Sequence, residues 1–134
     1  MQVRDRMNVR PVTIRADAPY EDALRLMQDR ALHHLPVLDA TGQLVGIVAE
    51  RDLLLAAMHY LQTPVEVAQV MHRDVVTTRP DAPIAEAAAL MVDHRIGGLP
   101  VVDGGAGVIG VITETDIIRA FVERERMRDA GVRG

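Results

Sequence analysis

Cysteine, tryptophan, serine and lysine are all missing from the 134 residues, and all fifteen basic side chains are arginine. No serine or cysteine nucleophile, Schiff-base lysine, thiolate zinc site or P-loop lysine can therefore be built from this chain. A disulfide framework is excluded on the same ground. Two tyrosines and one phenylalanine are the only aromatics, and the net charge is −4. Base stacking and a phosphate-backbone footprint both lack their residues, so no nucleic-acid partner is expected. The longest apolar run, Leu53 to Met58, falls far short of the ~18 residues of a membrane span. The opening Met1-Gln2-Val3-Arg4-Asp5-Arg6-Met7 alternates charges where a signal peptide needs an apolar stretch. A cytoplasmic protein with no membrane partner is the expectation.

What is present is a repeat. Sliding the sequence by 64 residues brings Met7 onto Met71, Asp17-Ala18-Pro19 onto Asp81-Ala82-Pro83, and Leu26-Met27 onto Leu90-Met91. Leu35-Pro36-Val37 then falls on Leu99-Pro100-Val101, Gly46 on Gly110, Glu50 on Glu114 and Asp52 on Asp116. Residues 7–54 and 71–118 share 18 identities in 48 positions without a gap, which makes the chain a tandem duplication.

Each copy reads as β-α-β-β-α. A short apolar stretch, Val12-Thr13-Ile14 or Val75-Val76-Thr77, predicts a first strand. Asp17 and Asp81, placed before Ala-Pro, predict helix caps with proline near the first helical position. Apolar residues at helical spacing follow (Ala23, Leu26, Met27; Ala87, Leu90, Met91). Two apolar runs around the turns after Asp39 and Asp103 predict a hairpin, and a second helix begins at Glu50 or Glu114. The expected domains are residues 7–62 and 71–129, with 63–70 as a short helical connector and the last helix ending near Asp129.

The order Asp-Ala-Pro, Leu-Pro-Val-x-Asp, then Gly-x-x-Thr-x-x-Asp, complete in the second copy and with Ala49 at the threonine position in the first, resembles the CBS domain over about residues 7–129, and the duplication resembles the CBS pair or Bateman module. The resemblance implies an α/β (α+β) fold with pseudo-twofold symmetry and two clefts between its repeats. It further implies a stand-alone regulatory protein, dimeric and non-enzymatic. Its ligand would be an adenosine derivative such as AMP, ADP, ATP or S-adenosylmethionine. The aspartate of Thr-x-x-Asp would hold the ribose hydroxyls, and a threonine or serine would contact ribose or phosphate. A carboxylate is an acceptor-only group suited to a cis-diol, and a helix N-terminus suits a phosphate.

The repeats are unequal. The second has Gly110-Val111-Ile112-Thr113-Glu114-Thr115-Asp116, while the first has Gly46-Ile47-Val48-Ala49-Glu50-Arg51-Asp52 and so lacks the hydroxyl. Before Leu-Pro-Val the first carries His33-His34 and the second Gly97-Gly98. The family position implies a main site at Asp116 and Thr113 with Val111, the base near Met71, Asp74, Val76, Ile96, Gly97 and Gly98, and phosphates toward His33 and His34. A weaker site is expected at Asp52 with Ile47, Met7, Arg10, Val12 and Leu32; Arg10, Arg51 and Arg95 could compensate there. Thr113-x-x-Asp116 also fits a capping box that needs no ligand. His33 and His34 also fit one inward and one outward side chain at a strand start. No His-x-His or His-x-x-x-His pair suggests a metal.

Leu53–Met58, with Ile117, Ile118, Phe121 and Val122 in the second copy, fits either burial against the other repeat or a subunit interface. The functional expectation is a homodimeric sensor of an adenine nucleotide that signals to an unidentified protein partner. The alternative is a nucleotide-free dimerisation or interaction module.

Overall fold

The structure is a computed structural model that describes residues 1–61 and 63–133. The chain divides into two compact units, one of Val12–Val75 and the other of Met1–Pro11 with Val76–Gly134. They are called the Asp52 unit and the Asp116 unit below.

In the Asp52 unit, β1 (Ile14–Arg15), α1 (Tyr20–Arg30), β2 (His34–Leu38), β3 (Leu44–Ala49) and α2 (Glu50–Tyr60) follow the expected order. β1 pairs parallel to β2, and β2 pairs antiparallel to β3 with Leu35 opposite Val48. Met27, Leu35, Val37, Val48 and Leu53 are fully buried between the sheet and its helices. Each such side chain contributes about 1.5–3 kcal/mol relative to exposure.

The Asp116 unit holds α3 (Ile84–His94), β4 (Gly98–Val102), β5 (Val108–Thr113) and α4 (Glu114–Arg133). β4 and β5 pair antiparallel with Leu99 opposite Ile112, the same register as β2 and β3. The last helix therefore runs past Asp129 to Arg133.

Two expectations need correction. The strand expected at Val75–Thr77 is a single parallel bridge between Thr78 and Val101. In the first copy Ala16 donates its amide to the Leu38 carbonyl at 2.9 Å. The matching residue in the second copy is Pro80, which has no N–H, so the ladder stops there. The strand expected at Val12–Ile14 is likewise displaced to Ile14–Arg15.

Asp17 and Asp81 do not cap their helices either. The cap positions are Pro19 and Pro83, without a side-chain cap bond. Asp17 accepts from Arg15 at 2.9 Å and Asp81 from Arg79 at 3.4 Å. The free first amides are met from elsewhere in the same unit: Tyr20 donates to the Val65 carbonyl and Ile84 to the Met1 carbonyl.

Those last bonds belong to two straps. Residues 63–75 lie as a strap on the Asp52 unit, and residues 1–11 form the equivalent strap on the Asp116 unit. Each contains a short 3-10 turn, Val67–Gln69 and Val3–Asp5, whose valine is fully buried in the core of its unit. Val67 and Ala68 donate to the Ala18 and Ala16 carbonyls, and Val3 and Arg4 donate to the Ala82 and Pro80 carbonyls. The straps then bridge the hairpins, His72 to Ile47 and Asn8 to Val111.

Candidate functional site

Both aspartates singled out in the sequence stand in the first turn of a helix that leaves a hairpin strand without a loop. The join is fixed by backbone. Glu50 donates to the His33 carbonyl at 2.9 Å, and Glu114 donates to the Gly97 carbonyl at 3.0 Å. His34 pairs with Ala49, and Gly98 pairs with Thr113. The residue pairs 33–34 and 97–98 are thus held at the start of α2 and α4.

At α4 the capping box is formed. The Thr113 amide and hydroxyl both donate to Asp116 Oδ2, at 2.8 and 3.0 Å, while the Asp116 amide donates to Thr113 Oγ1 at 3.3 Å. This reciprocal arrangement is typical of helix starts and stabilises them by about 1 kcal/mol. Asp116 Oδ1 has no hydrogen bond among the described residues. A half-buried carboxylate with one oxygen fixed and one available is preorganised to accept from a hydroxyl pair.

At α2 the arrangement differs because Ala49 has no hydroxyl, and the helix has no side-chain cap bond. Asp52 Oδ2 lies instead 2.8 Å from Nε2 of His72. A hollow of about 260 Å³ beside this pair is lined by Leu55, Ala56, His59, Tyr60, Gln69 and Val70. His33 Nδ1 lies 3.4 Å from Glu50 Oε1 and is largely exposed. Sequence reading passed over His72; the signal for it was its own position, which the repeat aligns with Asn8.

The straps regroup the expected site residues. Met71 and Asp74, expected beside Asp116, belong to the Asp52 unit, and Met7 and Arg10, expected beside Asp52, belong to the Asp116 unit. Val76, Ile96, Gly97, Gly98 and Val111 share a unit with Asp116, whereas Val12, Leu32, Ile47, His33 and His34 share one with Asp52. The physical cause is close approach. A Cβ on Gly46 would fall 2.5 Å from Met71 Sδ and 2.9 Å from the His72 carbonyl oxygen. On Gly110 it would fall 2.8 Å from the Asn8 carbonyl oxygen and 2.9 Å from Met7 Sδ. Only glycine lets each strap lie on its strand.

Asp39 and Asp103 end β2 and β4 as the turn reading expects. Asp39 Oδ1 accepts from the Thr41 hydroxyl and amide and from the Gln43 amide. Chiefly the Thr41 hydroxyl, then Gln43, hold its carboxyl below the ordinary carboxylate value. Among the described residues, no cluster of three or more His, Asp or Glu could hold a metal ion, and no helix is long and apolar enough to cross a membrane.

Two copies of one sheet-and-helix unit, each with a carboxylate in the first turn of its last helix, define a tandem-repeat α+β module. The chain belongs to the CBS domain family, whose model matches residues 3–59 and 67–123. It is similar to the CBS domain pair of protein MJ0100 solved with 5′-methylthioadenosine and S-adenosyl-L-methionine, at 31% identity and a TM-score of 0.84 over 92% of this chain and 98% of that one. It is also similar to CBSX2 solved with AMP, at 28% identity and a TM-score of 0.82 over 92% and 98%. An A-adding tRNA nucleotidyltransferase of Aquifex aeolicus is 35% identical over 92% of this chain but only 15% of its own length. The chain spans less than a quarter of the first curated relatives it matches.

Proposed function

We propose that this chain is a regulatory module that binds an adenine-containing ligand, AMP, ADP, ATP or S-adenosylmethionine, with Asp116 taking the ribose hydroxyls. The observation that carries the reading is the Asp116 carboxylate, fixed through Oδ2 by Thr113 and open at Oδ1, in a fold whose similar structures hold AMP or S-adenosylmethionine. His33-His34 against Gly97-Gly98 is the largest chemical difference between the repeats, and the imidazoles are the groups suited to a ligand phosphate.

Regulation follows from unequal affinity: a ligand shifts a conformational equilibrium only by its differential binding to the two states. The readout surface we assign is a homodimer face on α2 and α4, from which a protein partner takes the signal in the cytoplasm. A second reading, an interaction module without nucleotide, is favoured by one observation: Met58 and Phe121 stand 75% and 62% exposed on those helices.

A thermal-shift panel of adenine and guanine nucleotides on wild type, Asp116→Ala and Asp116→Asn tests the reading. Ligand at ~100 Kd adds about 2.7 kcal/mol, which raises the Tm of a domain this size by roughly ten degrees. Asp116→Ala also breaks the capping box, so its ligand-free Tm falls by about 4 °C for ~1 kcal/mol. The decisive quantity is therefore each variant's ligand-induced shift against its own baseline. A large shift with an adenine compound, much reduced in both variants, supports the sensor. No shift with any compound leaves the nucleotide-free module.

A further inference from the structure

The two helix-start carboxylates meet different donors, and the difference traces to two positions. Where the Asp116 unit has Thr113 and Asn8, the Asp52 unit has Ala49 and His72. Thr113 holds Asp116 from within the helix start, and Asn8 turns its side chain onto its own strap, with Oδ1 accepting the Arg10 amide at 3.0 Å. Without a hydroxyl at position 49, Asp52 is taken by the strap instead, through His72 Nε2 at 2.8 Å.

His72 is well placed for this. Its amide donates to the Ile47 carbonyl at 2.9 Å and its carbonyl accepts the Ile47 amide at 3.0 Å. The backbone therefore fixes the imidazole beside α2 while the ring itself remains 67% exposed and able to swing away.

We propose that His72 is a latch on the Asp52 site: it holds one carboxylate oxygen, Oδ2, from the strap, and a ribose diol that takes both oxygens must displace it. The inference rests on the adenosine-ligand reading for what enters the site, and it makes position 72 the determinant of filling order. Both carboxylates have Oδ2 engaged, but the donors on Asp116 belong to its own helix start, whereas Asp52 is met by an imidazole from the strap, a bulkier group that an entering ligand has to move. Exposed pairs of this kind are weak, so the latch delays filling of the second site to higher ligand concentration without abolishing it.

The test replaces His72 by the residue that the other unit carries at this place. His72→Asn keeps the backbone bridge to Ile47 and removes the imidazole. In an Asp116→Asn background, which isolates the Asp52 site, calorimetric titration with AMP and with adenosine is expected to give a Kd about two- to fivefold tighter with His72→Asn than with His72 present. An unchanged or weaker Kd overturns the latch, since His72 would then be a bystander or a ligand contact. A ligand-free measurement keeps the inference testable if the adenine reading fails. In ¹⁵N-histidine spectra, Asp52→Asn is expected to move the His72 ring nitrogens and leave His94 unmoved, whereas a His72 signal indifferent to Asp52→Asn overturns the pairing. Absence of binding by every adenine compound to every form refutes the functional proposal, and the pair is then judged by the imidazole signal alone.

Discussion

Three carboxylates in this chain do three different jobs, decided by the donor each meets close by in sequence or on the strap. Asp116 meets the Thr113 hydroxyl and becomes part of a helix start. Asp52 meets Ala49, finds nothing, and is taken by His72. Asp39 meets Thr41 and Gln43 and ties off the β2–β3 turn. The last has a consequence in acid. Because the folded carboxyl titrates below its unfolded value, the unfolded chain binds the proton first, so the contribution of Asp39 is fully present above the unfolded value and is lost as pH falls through the folded one. Carbon-detected titration of the Asp39 carboxyl is expected to show a midpoint below the ordinary aspartate value. In Thr41→Ala the midpoint rises, because the largest lowering influence is removed.

At the scale of elements, the straps decide the boundaries. Gly46 and Gly110 mark where they lie on β3 and β5, and the space at each is set by a backbone carbonyl, which cannot move aside as a flexible side chain would. Gly110→Ala is expected to lift residues 1–11 from the hairpin and cost about 1–3 kcal/mol. Hydrogen exchange would show it as lost protection at Asn8 and Val111, whose amides bond each other's carbonyls. Gly46→Ala should do the same at Ile47 and His72, and protection unchanged in either variant refutes the strap account.

The order of elements, the hairpins and the duplication were legible in the sequence because apolar period and turn residues encode them locally. The partner of each strap was not. Met7 and Met71 are identical, as are Gly46 and Gly110, so either methionine fits either glycine and no local pattern chooses between them. The loss of β1 in the second copy was written at Pro80, whose missing donor has meaning only once Ala16 is known to use its own. His72 was invisible for a related reason. A lone histidine acquires a role only when Ala49 leaves the neighbouring carboxylate without a hydroxyl.

For the whole molecule the open question is what covers the apolar side chains that the units leave outside. On α2, Leu53 and Ala56 are buried but Leu54, Leu55 and Met58 are 45%, 51% and 75% exposed, and Leu61, just past its end, is 72% exposed. On α4, Ala120 is buried while Ile118, Phe121 and Met127 are 59%, 62% and 75% exposed. Large apolar side chains left exposed together along a helix are characteristic of association sites. If α2 and α4 form the assigned dimer face, sedimentation velocity at micromolar protein is expected to give a species of twice the 14.7 kDa monomer mass. Met58→Glu and Phe121→Glu each bury a charge at such a face and should shift the equilibrium to monomer, weakening association by about tenfold or more while leaving the monomer folded, since both side chains are already largely exposed. A wild-type protein that sediments as a monomer across that range would transfer the same surface to a different protein. In that case the two glutamate variants should abolish capture of that partner and leave adenine-ligand affinity unchanged.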